Sequence, residues 1–172
     1  MTMVGEPVVL YAVSRNNDKT GLCVSAWVGR DWHELRASCD GAGCPLRPWA
    51  RLSKSAPMCY AHGGLSRGAA AAVQRAAARN PDGYTLTAAI QHAPRAVRML
   101  RMTAIGDPGR MLVSTVRAVC EVADAAGLHI IGYTHAWRRR SNAWRGRLMA
   151  SVESLADADV AISRGWRAAA ML

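Results

Sequence analysis

The stretch VRMLRMTAIGDPG, residues 97–109, predicts a strand that ends in a polar turn. Residues 97–105 are rich in apolar side chains, and the Gly-Asp-Pro-Gly that follows them contains strong turn formers. A helix is predicted over about 112–126, and Gly127 is suited to end it. A strand followed by a helix is the unit from which parallel sheets are built.

The same alternation continues on both sides of this unit. Further strands are predicted at 128–133, 147–152 and 166–172, and further helices at 85–92 and 157–163. Upstream, strands at 7–13 and 22–28 are expected to form a hairpin, and a helix at 66–79 is expected to end at the Asn-Pro-Asp-Gly turn of 80–83. The sequence therefore predicts one α/β domain over residues 1–172 with a mostly parallel sheet.

Ligands of parallel α/β sheets and barrels bind at the carboxyl ends of the strands. Gly106 and Asp107 follow one predicted strand directly, and Thr134 and His135 follow the next. We therefore expect these residues on one edge of the sheet. Asp107 is either a ligand-binding carboxylate or the cap of the following helix. His135 is either an acid, base or ligand, or a hydrogen-bonded core histidine.

A cysteine-rich segment lies between the predicted hairpin and the first helix, at 33–64. It contains the spacing Cys39-x4-Cys44-x14-Cys59-x2-His62. Four such ligands can close a tetrahedral zinc shell, whereas three thiolates can hold three irons of a [4Fe–4S] cluster and leave the fourth iron open. The segment is also dense in glycine and proline, which predicts a loop without long regular elements whose shape depends on the metal.

The charge balance points to an anionic partner. The chain has 22 lysines and arginines against 12 acidic residues, a net charge of +10. Guanidinium groups pair with phosphates and indoles can stack on unpaired bases, so one arginine-rich stretch is a candidate nucleic-acid contact, with a solvated loop as the alternative. Its arginines, interleaved with Trp137 and Trp144, are Arg138, Arg139, Arg140, Arg145 and Arg147.

The cellular compartment is predicted from the absence of a membrane helix and of a signal-peptide pattern in the sequence. No apolar run approaches the roughly 20 residues of a membrane helix, and no basic region followed by an apolar core begins the chain. The expectation is a cytoplasmic protein that does not enter a membrane.

At the level of motifs the chain resembles radical-SAM enzymes. In those enzymes a strand, a cysteine loop ending in Cys-Tyr and a helix open a partial (β/α) barrel. Their second strand ends in a Gly-Gly-Glu-Pro-like turn that contacts the amino group of S-adenosylmethionine, and a later strand ends in a Thr-Asn-Gly-like turn. Cys59-Tyr60, Ile105-Gly106-Asp107-Pro108 and Tyr133-Thr134-His135 stand at the corresponding positions.

The resemblance implies a fold, a cofactor set and a chemistry. The fold would be a partial (β/α) barrel of about five mostly parallel strands with a Cys-rich metal-binding loop after the N-terminal strands. The cluster, held by Cys39, Cys44 and Cys59, would cleave adenosylmethionine reductively to a radical that acts on a nucleotide or nucleic acid. Cofactor contacts would come from Gly106, Asp107, Tyr60 and Thr134, and catalysis from His135 and Asp107.

The chain also resembles a second family, and its cysteine spacing permits an alternative function. The chain looks like an uncharacterised bacteriophage and mobile-element family bearing Cys-Pro-Leu, Cys-Tyr-Ala and Gly-Tyr-Thr-His-x-Trp, found here at 44–46, 59–61 and 132–137. The cysteine spacing is looser than the Cys-x3-Cys-x2-Cys of radical-SAM enzymes. If His62 completes the metal shell, the expected protein is a zinc-stapled basic domain that binds nucleic acid without catalysis.

Overall fold

A computed structural model describes residues 8–14, 20–44, 64–139 and 143–170. These ranges begin with a strand pair and three successive helices, and four further strands and two further helices follow. In chain order the elements are β1 (Val9–Ser14), β2 (Cys23–Val28), α1 (Trp32–Ala42), α2 (Gly64–Arg79), α3 (Leu86–Gln91), β3 (Met99–Ile105), α4 (Val113–Ala125), β4 (His129–Thr134), β5 (Met149–Val152), α5 (Leu155–Ser163) and β6 (Arg167–Ala170).

The strands form one open, six-stranded sheet in which their spatial order is their order along the chain. β1 and β2 pair antiparallel as the predicted hairpin, with Val9 opposite Val28 and Ser14 opposite Cys23. Every later neighbour, from β2–β3 to β5–β6, pairs in parallel. The predicted class, α/β with a mostly parallel sheet, is therefore confirmed, with six strands where about five were expected.

The core lies on the central strands. Val24 of β2 and Leu100 and Met102 of β3 are completely buried. The adjacent residues Cys23 and Val24 of β2 are both completely buried, so this strand is covered on both faces, as is typical of parallel sheets covered by helices. None of the helices in the described ranges has both the length and the apolar character that a membrane crossing requires.

One prediction is wrong: the first part of the segment 33–64 is a helix and not a loop. At its start the side chain of Asp31 accepts a hydrogen bond from the backbone N–H of Glu34 at 2.8 Å. The Glu34 carboxylate in turn accepts the backbone N–H of Arg30 at 2.9 Å. The first bond satisfies an N–H group in the first turn of α1, and the second fixes the chain just before the helix.

The end of α1 explains why its glycines were misinterpreted. Gly43 has a φ of +71°, and the backbone N–H of Cys44 donates to the carbonyl of Cys39 at 3.1 Å. This is a Schellman motif, in which a glycine in the left-handed conformation ends a helix. Gly43 therefore marks the end of a helix, although in sequence it looked like part of a glycine-rich loop.

Two leucines of opposite environment test the position of the core. Leu100 on β3 is 0 % exposed, whereas Leu155 on α5 is 66 % exposed. Leu100→Ala is expected to lower the free energy of unfolding by about 2–5 kcal/mol, because it leaves a cavity in a packed core. Leu155→Ala is expected to change it by less than about 0.5 kcal/mol. Urea denaturation measures both, and equal effects would contradict this placement of the core.

Candidate functional site at the carboxyl edge of the sheet

Asp107 connects the turn after β3 to the turn after β4. It is 4 % exposed, and both carboxylate oxygens accept hydrogen bonds. Oδ1 accepts from the backbone N–H of Gly109 and from the hydroxyl of Thr134, both at 2.8 Å. Oδ2 accepts from the backbone N–H of His135, also at 2.8 Å. Asp107 therefore caps the short 3-10 turn Pro108–Arg110 and not helix α4, whose N-cap is Leu112. The same carboxylate also fixes the neighbouring turn.

Two glycines allow the turns to approach this carboxylate. A Cβ atom at Gly109 would lie 2.3 Å from the Cβ of Ala136 and 2.6 Å from the Oγ1 of Thr134. At Gly106, φ is +87° and a Cβ would lie 2.6 Å from the Cβ of Val28. Gly106, predicted to contact a cofactor, is therefore required by the fold, because a side chain at this position would collide with Val28. The buried hydroxyl of Thr134, predicted for the same role, also accepts the N–H of Ala136 at 3.0 Å.

The His135 imidazole lies between a carboxylate and a thiol. Its Nδ1 atom is 3.6 Å from Oδ2 of Asp107, and its Nε2 atom is 3.8 Å from Sγ of Cys44. Burial by itself lowers the pKa of His135, but the facing Asp107 carboxylate and Cys44 sulfur outweigh burial and raise the pKa to about 10. The imidazole therefore carries a positive charge at neutral pH, which the facing Asp107 carboxylate stabilises.

Glu153 joins the same group of side chains and was not predicted. Its Oε1 atom lies 3.1 Å from Nε2 of His135. This buried oxygen forms an ion pair with the His135 imidazole and no hydrogen bond to any described residue. Glu153 directly follows β5, as Asp107 and His135 closely follow β3 and β4. The rule that placed those two residues at the sheet edge could therefore have found Glu153 too.

Ser38 is a second residue that sequence reasoning missed. Its hydroxyl accepts the backbone N–H of Asp107 at 3.2 Å and donates to the carbonyl of Leu35 at 2.7 Å. These bonds attach α1 to the turn after β3. A serine within a short helix carries no pattern that would predict this contact, because its partner is 69 positions away along the chain.

Of the predicted metal ligands, the structure describes Cys39 and Cys44. They occupy the two positions of the Schellman motif whose side chains commonly contact each other. Cys44 is buried near His135, and Cys39 packs beside the small apolar cluster of Leu35, Ala70 and Ile105. Within the described ranges, no three histidine, cysteine or acidic side chains form a group that could hold a metal.

Three of the predicted metal and cofactor residues lie outside the described ranges. They are Cys59, Tyr60 and His62. The ligand set Cys39, Cys44, Cys59 and His62 therefore stays a prediction, and so does the cofactor contact of Tyr60.

The predicted stacking of indoles on bases is wrong. Trp137 and Trp144 are each 1 % exposed. The indole N–H of Trp137 donates to the carbonyl of Ser151 and that of Trp144 to the carbonyl of Pro108, each at 3.0 Å. Both tryptophans belong to the core, where their ring N–H groups need these internal acceptors.

Most of the described arginines of the predicted nucleic-acid surface contact other parts of the protein. Arg138 pairs with Asp157 at 2.6 Å, and its guanidinium lies 4.1 Å above the Trp137 ring. Arg147 makes two bonds to Asp124, at 2.7 and 2.6 Å. Arg145 donates to the carbonyl of Arg164 at 3.0 Å. Arg139 is exposed, and Arg140 lies outside the described ranges.

No protein-family model, no curated protein and no solved structure matches this chain. The resemblances to radical-SAM enzymes and to a bacteriophage family therefore stay predictions.

The Asp107 contacts predict a stability difference between two Asp→Asn variants. Asp107→Asn places an amide nitrogen, a donor, among three donors, and should lower the free energy of unfolding by about 1–3 kcal/mol. Asp159→Asn on α5 is the control. Because Asp159 is exposed, this substitution should change the free energy of unfolding by less than about 0.5 kcal/mol. Urea denaturation compares the two. A loss for Asp107→Asn no larger than that for Asp159→Asn would contradict the role of this carboxylate.

Proposed function

We propose that this protein binds a metal centre through its cysteine segment at the carboxyl edge of the parallel sheet, and acts there on a bound ligand. The observation that carries the proposal is the 3.8 Å approach of Cys44 Sγ to His135 Nε2. It places Cys44 at the edge where ligands of parallel α/β folds bind. Thiolate and imidazole are ligands that zinc and iron–sulfur clusters accept.

The finer proposal is a radical-SAM-like partial barrel with a [4Fe–4S] cluster. Five parallel strands that follow one another in chain order support it, because this is the winding of a (β/α) barrel. Cys39, Cys44 and Cys59 would hold the cluster, which supplies one-electron reduction of adenosylmethionine when bound. The substrate class we propose is a nucleotide or nucleic acid, on the support of the net charge of +10.

In this proposal Asp107 is a positioning residue. Both of its oxygens already accept hydrogen bonds from the turns after β3 and β4. Its carboxylate therefore fixes the backbone of the edge and the orientation of His135. The bound ligand would instead contact groups around His135, whose side chain is 16 % exposed.

The alternative function is a zinc-stapled basic domain that binds nucleic acid without catalysis. Its support is the excess of arginine, together with His62 as a ligand that would close a zinc shell. The exposed guanidinium of Arg138 could leave Asp157 for a phosphate, because an exposed ion pair is worth only about 0–1 kcal/mol. In both proposals the protein is cytoplasmic.

The metal content and visible spectrum of protein purified without oxygen test the proposal. A brown protein with about four irons per chain supports the cluster, and a colourless one with about one zinc supports the zinc domain. Cys44→Ala should lose most of the metal in either case. Cys120→Ala is the control, because Cys120 lies on α4, away from the segment, and should keep the full content. Wild-type protein without metal would contradict both forms.

Nucleic-acid binding has a separate test in the salt dependence of affinity. The double variant Arg138→Ala and Arg139→Ala should bind single-stranded RNA or DNA more weakly and lower the salt slope by about 1–2, because each phosphate contact releases about one counterion. Arg79→Ala, at the exposed end of α2, is the control and should leave the slope unchanged. An unchanged salt slope in the double variant would mean that Arg138 and Arg139 do not contact phosphates.

A further inference from the structure

We propose that a nucleic-acid backbone binds along a group of four arginines at the start of β5 and β6, the basic cluster. Its members are Arg145, Arg147, Arg164 and Arg167. The inference rests on the nucleic-acid partner of the proposed function and deepens it, because it names the residues that hold the phosphates. Arg164 and Arg167 lie outside the arginine-rich stretch predicted from the sequence.

The fold brings these arginines together from two parts of the chain. Arg145 and Arg147 lie just before β5, whereas Arg164 follows α5 and Arg167 begins β6. β5 and β6 are neighbours in the sheet and pair in parallel, with Met149 opposite Arg167. Because parallel strands start at the same edge of a sheet, the four arginines meet at the amino edge, opposite to the edge that carries Asp107.

Two hydrogen bonds to backbone carbonyls hold the basic cluster together. Nη1 of Arg145 donates to the carbonyl of Arg164 at 3.0 Å, and Nη2 of Arg167 donates to the carbonyl of Arg147 at 3.2 Å. The turn after α5 also contacts the stem of Arg145, since a Cβ atom at Gly165 would lie 3.9 Å from Cδ of Arg145. Each part of the chain thus donates to a carbonyl of the other, so the four residues form one surface.

The basic cluster carries more positive charge than the carboxylates beside it neutralise. Asp124 pairs with Arg147 through two hydrogen bonds. Arg145, Arg164 and Arg167 are exposed, and no carboxylate in the described part of the chain forms an ion pair with any of them. A carbonyl oxygen occupies one of the five N–H donors of a guanidinium group and leaves its charge in place. Three positive charges are therefore available to an anionic ligand.

The number and the kind of these charges favour nucleic acid. A ligand that contacts several arginines on one surface needs several negative charges in a row, and a nucleic-acid backbone carries one per nucleotide. Guanidinium groups also bind phosphate oxygens in pairs, which ammonium groups do not.

The ring of Trp137 connects the basic cluster to the arginines that the sequence predicted. The guanidinium of Arg164 lies 6.0 Å from the centroid of this ring, and that of Arg138 lies 4.1 Å from it. A strand that follows the basic cluster can therefore continue to Arg138 and Arg139.

Binding of a fluorescent single-stranded oligonucleotide at several salt concentrations tests the inference on the full chain. The double variant Arg164→Gln and Arg167→Gln should bind about tenfold more weakly at about 0.1 M salt. It should also lower the salt slope by about 1.4, because each lost phosphate contact removes about 0.7 from the slope of a single strand. The matched control is Arg75→Gln with Arg79→Gln, which removes the same charge from exposed positions on α2, a helix that packs near β1. The control should change the slope by less than about 0.3.

Circular dichroism establishes that each variant is folded. If the double variant does not fold, Arg164→Gln alone decides. This substitution keeps the backbone carbonyl to which Arg145 donates, and it should lower the salt slope by about 0.7.

The outcomes separate this inference from the proposed function. Wild-type protein that binds no oligonucleotide would overturn the proposed nucleic-acid partner, and this inference with it. Equal losses in the double variant and in the control would overturn the inference alone, because net charge would then explain the binding. Vesicles that contain phosphatidylserine are the competing probe, since Ile162 near the end of α5 is 60 % exposed. A double variant that loses vesicle binding but keeps oligonucleotide binding would assign the basic cluster to a lipid surface and contradict the inference.

Discussion

The buried carboxylate of Asp107 is the interaction on which the candidate site depends. A buried carboxylate is costly unless donors surround it, and here two backbone N–H groups and one hydroxyl do so. These donors come from the turns after β3 and β4, so a single side chain fixes both turns relative to each other. The backbone N–H of Asp107 donates to the hydroxyl of Ser38, and this bond attaches α1 to the same two turns. His135 therefore has a defined orientation before any ligand binds.

The parallel sheet explains why these groups meet. Because β3, β4 and β5 run in the same direction, the residues that follow them collect at one edge. Asp107, His135 and Glu153 reach this edge from three neighbouring strands. Cys44 reaches it from the end of α1, since the Schellman motif turns the chain back after Gly43. The site is thus a consequence of topology as much as of local sequence.

Much of this arrangement could be predicted from sequence, and the failures have physical reasons. Strand runs and turn residues located the sheet and placed Asp107 and His135 on one edge, because these signals are local. Helix α1 was missed because Gly43, which caps a helix, looks like a loop residue when its φ is unknown. The burial of Trp137 and Trp144 and the contact of Cys44 with His135 depend on residues distant in the chain, which a single sequence does not reveal.

The metal centre that we propose includes Cys44 at the carboxyl edge of the sheet. X-ray absorption at the edge of the bound metal tests it most directly, because the method separates sulfur from nitrogen neighbours. We expect sulfur neighbours at about 2.3 Å from the metal, and we expect their contribution to fall in the Cys44→Ala protein. A shell without sulfur, or a sulfur contribution that this substitution leaves unchanged, would rule out a metal centre that includes Cys44.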